Sequence, residues 1–417
     1  MMNRDYDVIV IGGGPAGSTV AALVARAGHR VLLAERDKFP RLHIGESLMP
    51  ETYWTLRRLG VLEKLKASRC PKKFSVQFVN PAGRASSPFY FFEHHDHECS
   101  QTWQVLRSEF DRMLFDNAAA QGAECREATR VTDMLFDGER AVGVRIKSTD
   151  GRSQELTCRV VVDASGQQSF LATRLKIRQA DPRLHKASIW GHFLGAARDA
   201  GVDEGATIIL HTSDRTSWFW FIPLADDRAS VGVVGDVESL LRGRGAAEQA
   251  FAEELARCPA LARRLSAARQ EGPLRVARDF SYLASQPSGN GWVLIGDALG
   301  FLDPVYSSGV FFALKSGEMA ADAIVEGLAS QRTDAAQLGR WAPEFNRGMT
   351  LIRKLVEAFY VEQFSFGKFI KAFPEHRRRL TDLLVGRVFT GDADMIFDDM
   401  DPWIARLQRD DPSPASS

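Results

Sequence analysis

"YDVIVIGGGPAGSTVAALVARAGHRVLLAER", residues 6–36, decides the fold class. Residues 8–11 are an unbroken β-branched run, the composition of a strand buried on both faces of a parallel sheet. Gly12, Gly14 and Gly17 follow as G-x-G-x-x-G, and over residues 18–27 apolar side chains recur at helical spacing. A second strand, "RVLLAE", ends at Glu35. Each glycine has its own duty: Gly12 turns the chain, Gly14 admits a pyrophosphate to the backbone, and Gly17 lets helix lie on strand. The helix start offers N–H donors to phosphate, and Glu35 stands where an acidic residue accepts from a ribose. The stretch predicts a Rossmann-like α/β domain with a dinucleotide on its glycine turn.

The 417 residues suffice for two or three domain-sized units. Lys+Arg and Asp+Glu both number 53, so no overall field draws the chain to nucleic acid or to an anionic membrane. The five cysteines (70, 99, 125, 158 and 258) are scattered, odd in number and without C-x-x-C spacing. That pattern argues against a disulfide framework or structural zinc and fits a reducing compartment. No apolar run approaches the ~18 residues needed to span a bilayer, and no basic-then-apolar leader opens the chain. The expectation is a cytoplasmic protein with neither membrane nor nucleic-acid partner.

Two further stretches speak to the dinucleotide. "RVVVDASG" (159–166) reads as another buried strand, and "GWVLIGDALGFLDPVYSSGV" (291–310) delivers Asp297 to the strand ends where such folds bind ligands. Together with "QVLRSEFDRML" (104–114), they resemble the flavoprotein monooxygenase superfamily over residues 7 to about 330. The resemblance implies FAD, held by Gly12, Gly14, Ala16, Gly17, Glu35, Arg36, Ser47, Arg107, Asp297 and Gly309. It sets Asp297 at the ribitol chain and Arg107 along the cofactor, and it makes the loop with His43 and Glu46 a flexible strap over the flavin.

"TSWFWFIPLADD" (216–227) is apolar on both faces: Trp218, Trp220 and Ile222 on one, Phe219 and Phe221 on the other. Such a strand is buried on both sides, and Pro223 ends it. With the strand-like runs at 206–212 and 229–235 it predicts an antiparallel meander, itself in the middle. W-x-W-x-I-P beside G-x-G-x-x-G resembles the flavin-dependent halogenases, in the phenol/pyrrole-type branch. The resemblance implies that FADH2, O2 and chloride or bromide give hypohalous acid in secondary metabolism. It also implies that Trp218, Trp220, Ile222 and Pro223 keep the organic substrate off the flavin, and that Lys73 directs the acid to an electron-rich aromatic ring.

Alternation in "CPKKFSVQFVN" (70–80) sets Lys73 with Ser75 and Gln77 on a polar face and Lys72 with Phe74, Val76 and Phe78. Two exposed lysines at a strand start are the plainer alternative. Ser308 and Gly309 open a predicted helix, whose first N–H groups lack intrahelical partners and sit at the positive dipole end. The resemblance makes them the halide site; water on an ordinary helix start is the alternative. Tryptophan halogenases carry a glutamate just before this turn, whereas this chain has Tyr306. That departure implies a phenol or pyrrole, free or on an acyl or peptidyl carrier protein. No second nucleotide fingerprint is present, so a separate flavin reductase is expected to supply FADH2.

The expected organisation is a discontinuous FAD-binding domain (1–70, 104–180 and 285–330), a substrate/halogenation domain with an antiparallel sheet (71–103 and 181–284), a C-terminal helical region (331–405) and a disordered tail (406–417). "FFEHHDHEC" (91–99) has poor spacing for a metal cage, and no metal is expected. Two other readings share the fold: an NADPH-dependent aromatic hydroxylase and a non-catalytic FAD-binding relative.

Overall fold

The computed structural model describes residues 4–93, 95–181, 184–278 and 281–410. Val8–Ile11 lies inside a six-stranded sheet ordered Ser288–Gly289, Trp292–Leu294, Val160–Asp163, Val8–Ile11, Val31–Ala34, Glu124–Arg126. Every pairing is parallel except the terminal one between Ser288–Gly289 and Trp292–Leu294. Val8–Ile11, Val31–Ala34 and Val160–Asp163 are buried along their whole lengths, which is why they carry no polar alternation. Gly12 leaves its strand at φ +101°, and a Cβ there would lie 2.5 Å from the Ala164 carbonyl oxygen. A Cβ at Gly17 would lie 1.9 Å from the Gly12 oxygen, so helix Pro15–Arg26 meets the turn backbone to backbone. Gly317 allows the same closeness between helix Gly309–Ala329 and Ala16, where a Cβ would meet the Ala16 oxygen at 2.7 Å. The start of the long helix is thereby carried toward the glycine turn.

A second sheet has seven strands, in the order Arg269–Arg278, Lys186–Leu194, Arg228–Asp236, Ser217–Pro223, Thr207–His211, Ser75–Val79, Phe89–Tyr90. Ser217–Pro223 occupies its middle, antiparallel to both neighbours, as the meander predicts. Its two faces enter different cores. Trp218, Trp220 and Ile222 join the large core that includes Val8–Ile11. Phe219 and Phe221 join a separate core with Phe251 and Leu261, from helices Ala247–Ala256 and Pro259–Arg264.

Two expectations need correction. The lysine segment is not one strand: Lys72–Lys73 pairs with Thr102–Trp103, whereas Ser75–Val79 joins the seven-stranded sheet in parallel with Thr207–His211. The chain changes sheets at Phe74, and alternation still holds across it, with Lys72 exposed and Lys73 buried. At the C-terminus, helix Phe397–Asp410 runs into the span 406–417 expected to be a disordered tail. Trp403 and Ile404 of that helix pack against the main core, which holds it in place. Residues 411–417 lie outside the described residues. Among the described residues no helix is long and apolar enough to cross a membrane.

Candidate active site

A cavity opens at the C-terminal edge of the parallel sheet, where strand ends and helix starts converge. Gly12, Gly14, Ala16, Glu35, Arg36, Ser47, Arg107, Asp297 and Gly309 all line it, as do Trp218, Trp220 and Ile222. Of the expected residues, Gly17, Lys73, Pro223 and Ser308 are not on its wall. Gly17 sits behind the turn against Gly12. Pro223 is buried as the last residue of its strand. Ser308 is 1% exposed, and its neighbour Ser307, in the left-handed conformation at φ +57°, faces the cavity in its place.

The glycine turn is held from below. Glu35 accepts the Gly13 N–H at 2.8 Å and the Asp37 N–H at 2.9 Å, and it pairs with Arg41 at 3.6 Å. Gly14 has open space: a Cβ there would meet only Arg41 Nη2, at 3.6 Å. Arg41 lines the cavity, and its buried Nε has no hydrogen-bond partner. A cation with an unused donor beside an open glycine turn and a helix N-terminus fits a pyrophosphate. Sequence reasoning missed Arg41, because nothing local distinguishes it from its neighbours; its place follows from where the 41–47 loop folds back.

That loop is pinned. Glu46, 1% exposed, meets His192 Nε2 at 3.0 and 3.2 Å. The backbone pairs as well, Val105 N–H to the Glu46 carbonyl and Leu48 N–H to the Trp103 carbonyl. The loop expected from the sequence to strap over the flavin lines the cavity, tied at its Glu46 end while Leu42, His43 and Gly45 stay exposed. Arg107 is committed to Asp111, at 2.7 and 3.0 Å, and to the Ile44 carbonyl at 2.5 Å, so it holds the loop from the other end. Burial, opposed by Arg107, pushes the Asp297 carboxyl up to about 7; His43 is exposed on the cavity side, and partial desolvation with the charges of Arg107 and Arg41 holds it below the usual imidazole value. Both are cavity residues.

The two indoles are fixed by their N–H groups. Trp220 donates to Ser230 Oγ at 3.2 Å, and its ring lies over Gly232, where a Cβ would stand 2.2 Å from Cζ2. Trp218 donates to the Tyr360 hydroxyl at 3.0 Å, which in turn donates to Asp303 at 2.7 Å. Asp303 precedes the 304–308 turn, so this chain ties the C-terminal helices to the strand and the turn at once. Tyr306 is buried and gives its hydroxyl to the Leu355 carbonyl at 3.3 Å. Gly232 and Tyr360 were not found from sequence, since Gly232 answers to an indole on the paired strand and Tyr360 acts across a long separation.

Lys73 is 2% exposed. Its Nζ donates to Ser47 Oγ at 2.8 Å and to the Leu48 carbonyl at 3.2 Å, and it stands 5.5 Å from the Phe91 ring centre. Among the described residues it has no carboxylate partner, and burial pulls its amine down to about 7. The amine is one hydroxyl removed from the cavity, because Ser47 touches both. The 91–99 stretch brings His95, His97 and Cys99 within 4.8 Å of one another, closer than its sequence spacing suggested. His97 Nδ1 already accepts the Cys99 N–H, and burial pushes the Cys99 thiol up to about 11.

A family model for the FAD binding domain matches residues 5–333. A 1H-pyrrole-2-carbonyl-[peptidyl-carrier protein] chlorinase of Pseudomonas fluorescens is 31% identical over 98% of this chain and 95% of its own length. The corresponding brominase of Pseudoalteromonas luteoviolacea is 33% identical over 93% of each chain. The solved structure of the flavin-dependent brominase Bmp2 superposes with a TM-score of 0.86 at 31% identity, covering 96% of this chain and 99% of that one.

Proposed function

This chain belongs to the flavin-dependent halogenases, and we propose that it halogenates a phenol or pyrrole ring by presenting hypohalous acid to that ring at Lys73. The observation that carries this reading is the Lys73 amine, buried without a counter-ion and one hydroxyl from the cavity. Reduced FAD, when bound, supplies the electrons with which O2 and chloride or bromide become hypohalous acid. In this reading Gly12, Gly14, Glu35, Arg36, Arg41, Arg107 and Asp297 hold the cofactor, and the backbone at 307–309 holds the halide. Trp218, Trp220 and Ile222 close the space beside it to an organic ring.

The substitution then balances on one amine. A ring carbon attacks the halogen as the O–X bond breaks, and the Lys73 ammonium gives its proton to the departing hydroxide to form water. The neutral amine takes the proton released from the ring carbon. A group titrating near 7 serves both halves. Holding the ring beside the amine sets which carbon reacts.

A carrier-bound pyrrole is the substrate class we favour, because the chlorinase and brominase named above act on one and match nearly the whole chain. Tyr306, which gives its hydroxyl to Leu355 and offers no carboxylate, supports a ring other than tryptophan. A separate reductase supplying FADH2, a cytoplasmic location and the domain division set out above, with the C-terminal helical region extended to Asp410, complete the proposal.

The test is bromination with FADH2, O2 and bromide, using free phenols and a pyrrolyl carrier protein and reading the bromine isotope pattern by mass spectrometry. Wild type is expected to brominate, and Lys73→Met to bind FAD without brominating. A hydroxylated product, or full bromination by the variant, would overturn the reading.

A further inference from the structure

We propose that Ser47 is a positioning residue for Lys73, its hydroxyl anchored by Thr207 and Gln104 so that the amine is held directly behind the wall of the flavin-side cavity. The inference rests on the role given to Lys73 above and departs from the sequence expectation that Ser47 serves the cofactor.

The geometry is a connected chain. Lys73 donates to Ser47 Oγ, and Ser47 Oγ lies 2.9 Å from Thr207 Oγ1. Thr207 Oγ1 takes one amide hydrogen of Gln104 at 2.9 Å, and the other goes to the Gly205 carbonyl at 2.8 Å. An ammonium offers only donors, and a hydroxyl has one hydrogen and two lone pairs. With Ser47 accepting from Lys73, its second lone pair and its hydrogen remain for Thr207, so one of the two hydroxyls donates to the other and the pair stays linked. Lys73, Ser47, Thr207 and Gln104 are each no more than 2% exposed, so bulk water does not replace any link.

The backbone builds this arrangement rather than tolerating it. Ser47 and Gln104 are partners in an isolated antiparallel bridge, which sets both side chains toward Thr207 on the neighbouring sheet. Ser47 and Thr207 line the cavity and Lys73 does not, so the two hydroxyls are the polar contact between the cavity and the amine. A lysine head on a four-carbon stem has many rotamers. Without Ser47 the Leu48 carbonyl would be its remaining hydrogen-bond partner among the described residues, and a displacement of about 1 Å at a reacting group costs on the order of 100-fold in rate.

The experiment uses FAD-loaded Ser47→Ala and Ser47→Thr with FADH2, O2, bromide and a phenol. It measures bromine on the ring against hypobromous acid caught by a diketone trap, a ratio independent of how much oxidant forms. Ser47→Ala is expected to lower that ratio by roughly 10- to 100-fold, and Ser47→Thr, which keeps the hydroxyl, to restore most of it. An unchanged ratio in Ser47→Ala, or no recovery in Ser47→Thr, overturns the proposal. Should Ser47→Ala not fold, Thr207→Val removes the anchor instead, and an unchanged ratio there overturns it equally. Lys73→Met runs alongside: if it still brominates the ring, the lysine reading itself fails, an outcome distinct from failure of the Ser47 assignment.

Discussion

Replacing Lys73 by Met should leave a protein without ring halogenation and yet more resistant to heat at pH 7. The amine titrates near 7 in the folded chain against 10.5 when unfolded. Below pH 7 both states hold the proton, and stability is flat with pH. Between about 7 and 10.5 the unfolded chain holds more protons, so wild-type stability rises with pH. Each tenfold change in proton affinity is about 1.4 kcal/mol, which puts the wild type roughly 4 kcal/mol below a neutral side chain of the same shape at pH 7. Methionine forfeits the hydrogen bonds to Ser47 and the Leu48 carbonyl, roughly 1–2 kcal/mol. The net gain is about 2–3 kcal/mol.

At an unfolding entropy of ~2.1 cal/mol/K per residue, 1 kcal/mol moves the Tm of this chain by roughly 1 °C, so the expected rise is about 2–3 °C. Between pH 7 and 9 the wild type should recover roughly 2 kcal/mol and nearly close the gap. Scanning calorimetry of both FAD-loaded proteins at the two pH values reads the difference, with other titrating groups cancelling. A lower Tm for the variant at pH 7, or a difference that does not change by pH 9, would refute the argument.

Tyr360→Phe strips the indole N–H of Trp218 of its acceptor and Asp303 of a donor; a loss of roughly 1–3 kcal/mol is expected in urea unfolding. The same variant should release more trapped hypobromous acid per ring brominated, and Trp218→Phe should remove that effect in the double variant. Gly232→Ala drives a methyl into Trp220, so it should lower stability by about 1–3 kcal/mol and alter the near-UV circular dichroism of the tryptophans. Glu35→Ala leaves the Gly13 N–H and Arg41 without their carboxylate, and flavin fluorescence titration should show FAD affinity falling about tenfold or more.

What the sequence disclosed depended on the reach of each constraint. Gly12 and Gly17 are demanded by contacts with backbone a few residues away or one strand over, so their spacing alone announces the turn. The face assignments at 218–222 and at Lys72/Lys73 follow from alternation, which survives even the change of sheet at Phe74. Arg41 with Asp111, Tyr360 with Asp303 and the Glu46–His192 pair were illegible because their partners lie far along the chain, and Gly232 because its demand comes from an indole on the neighbouring strand. The tail was misread for a related reason: polar composition near 406–410 says nothing about a helix anchored by Trp403.

The strand Ser217–Pro223 divides its labour by parity. Even-numbered side chains face the reaction space, while the odd-numbered phenylalanines hold down an independent packing unit that contains none of them. Attempts to widen or narrow what the enzyme accepts belong at positions 218, 220 and 222, at the cost of the bonds to Tyr360 and Ser230 and the packing on Gly232, while 219 and 221 stay untouched. A one-residue insertion in the same strand would exchange the two roles and spoil both.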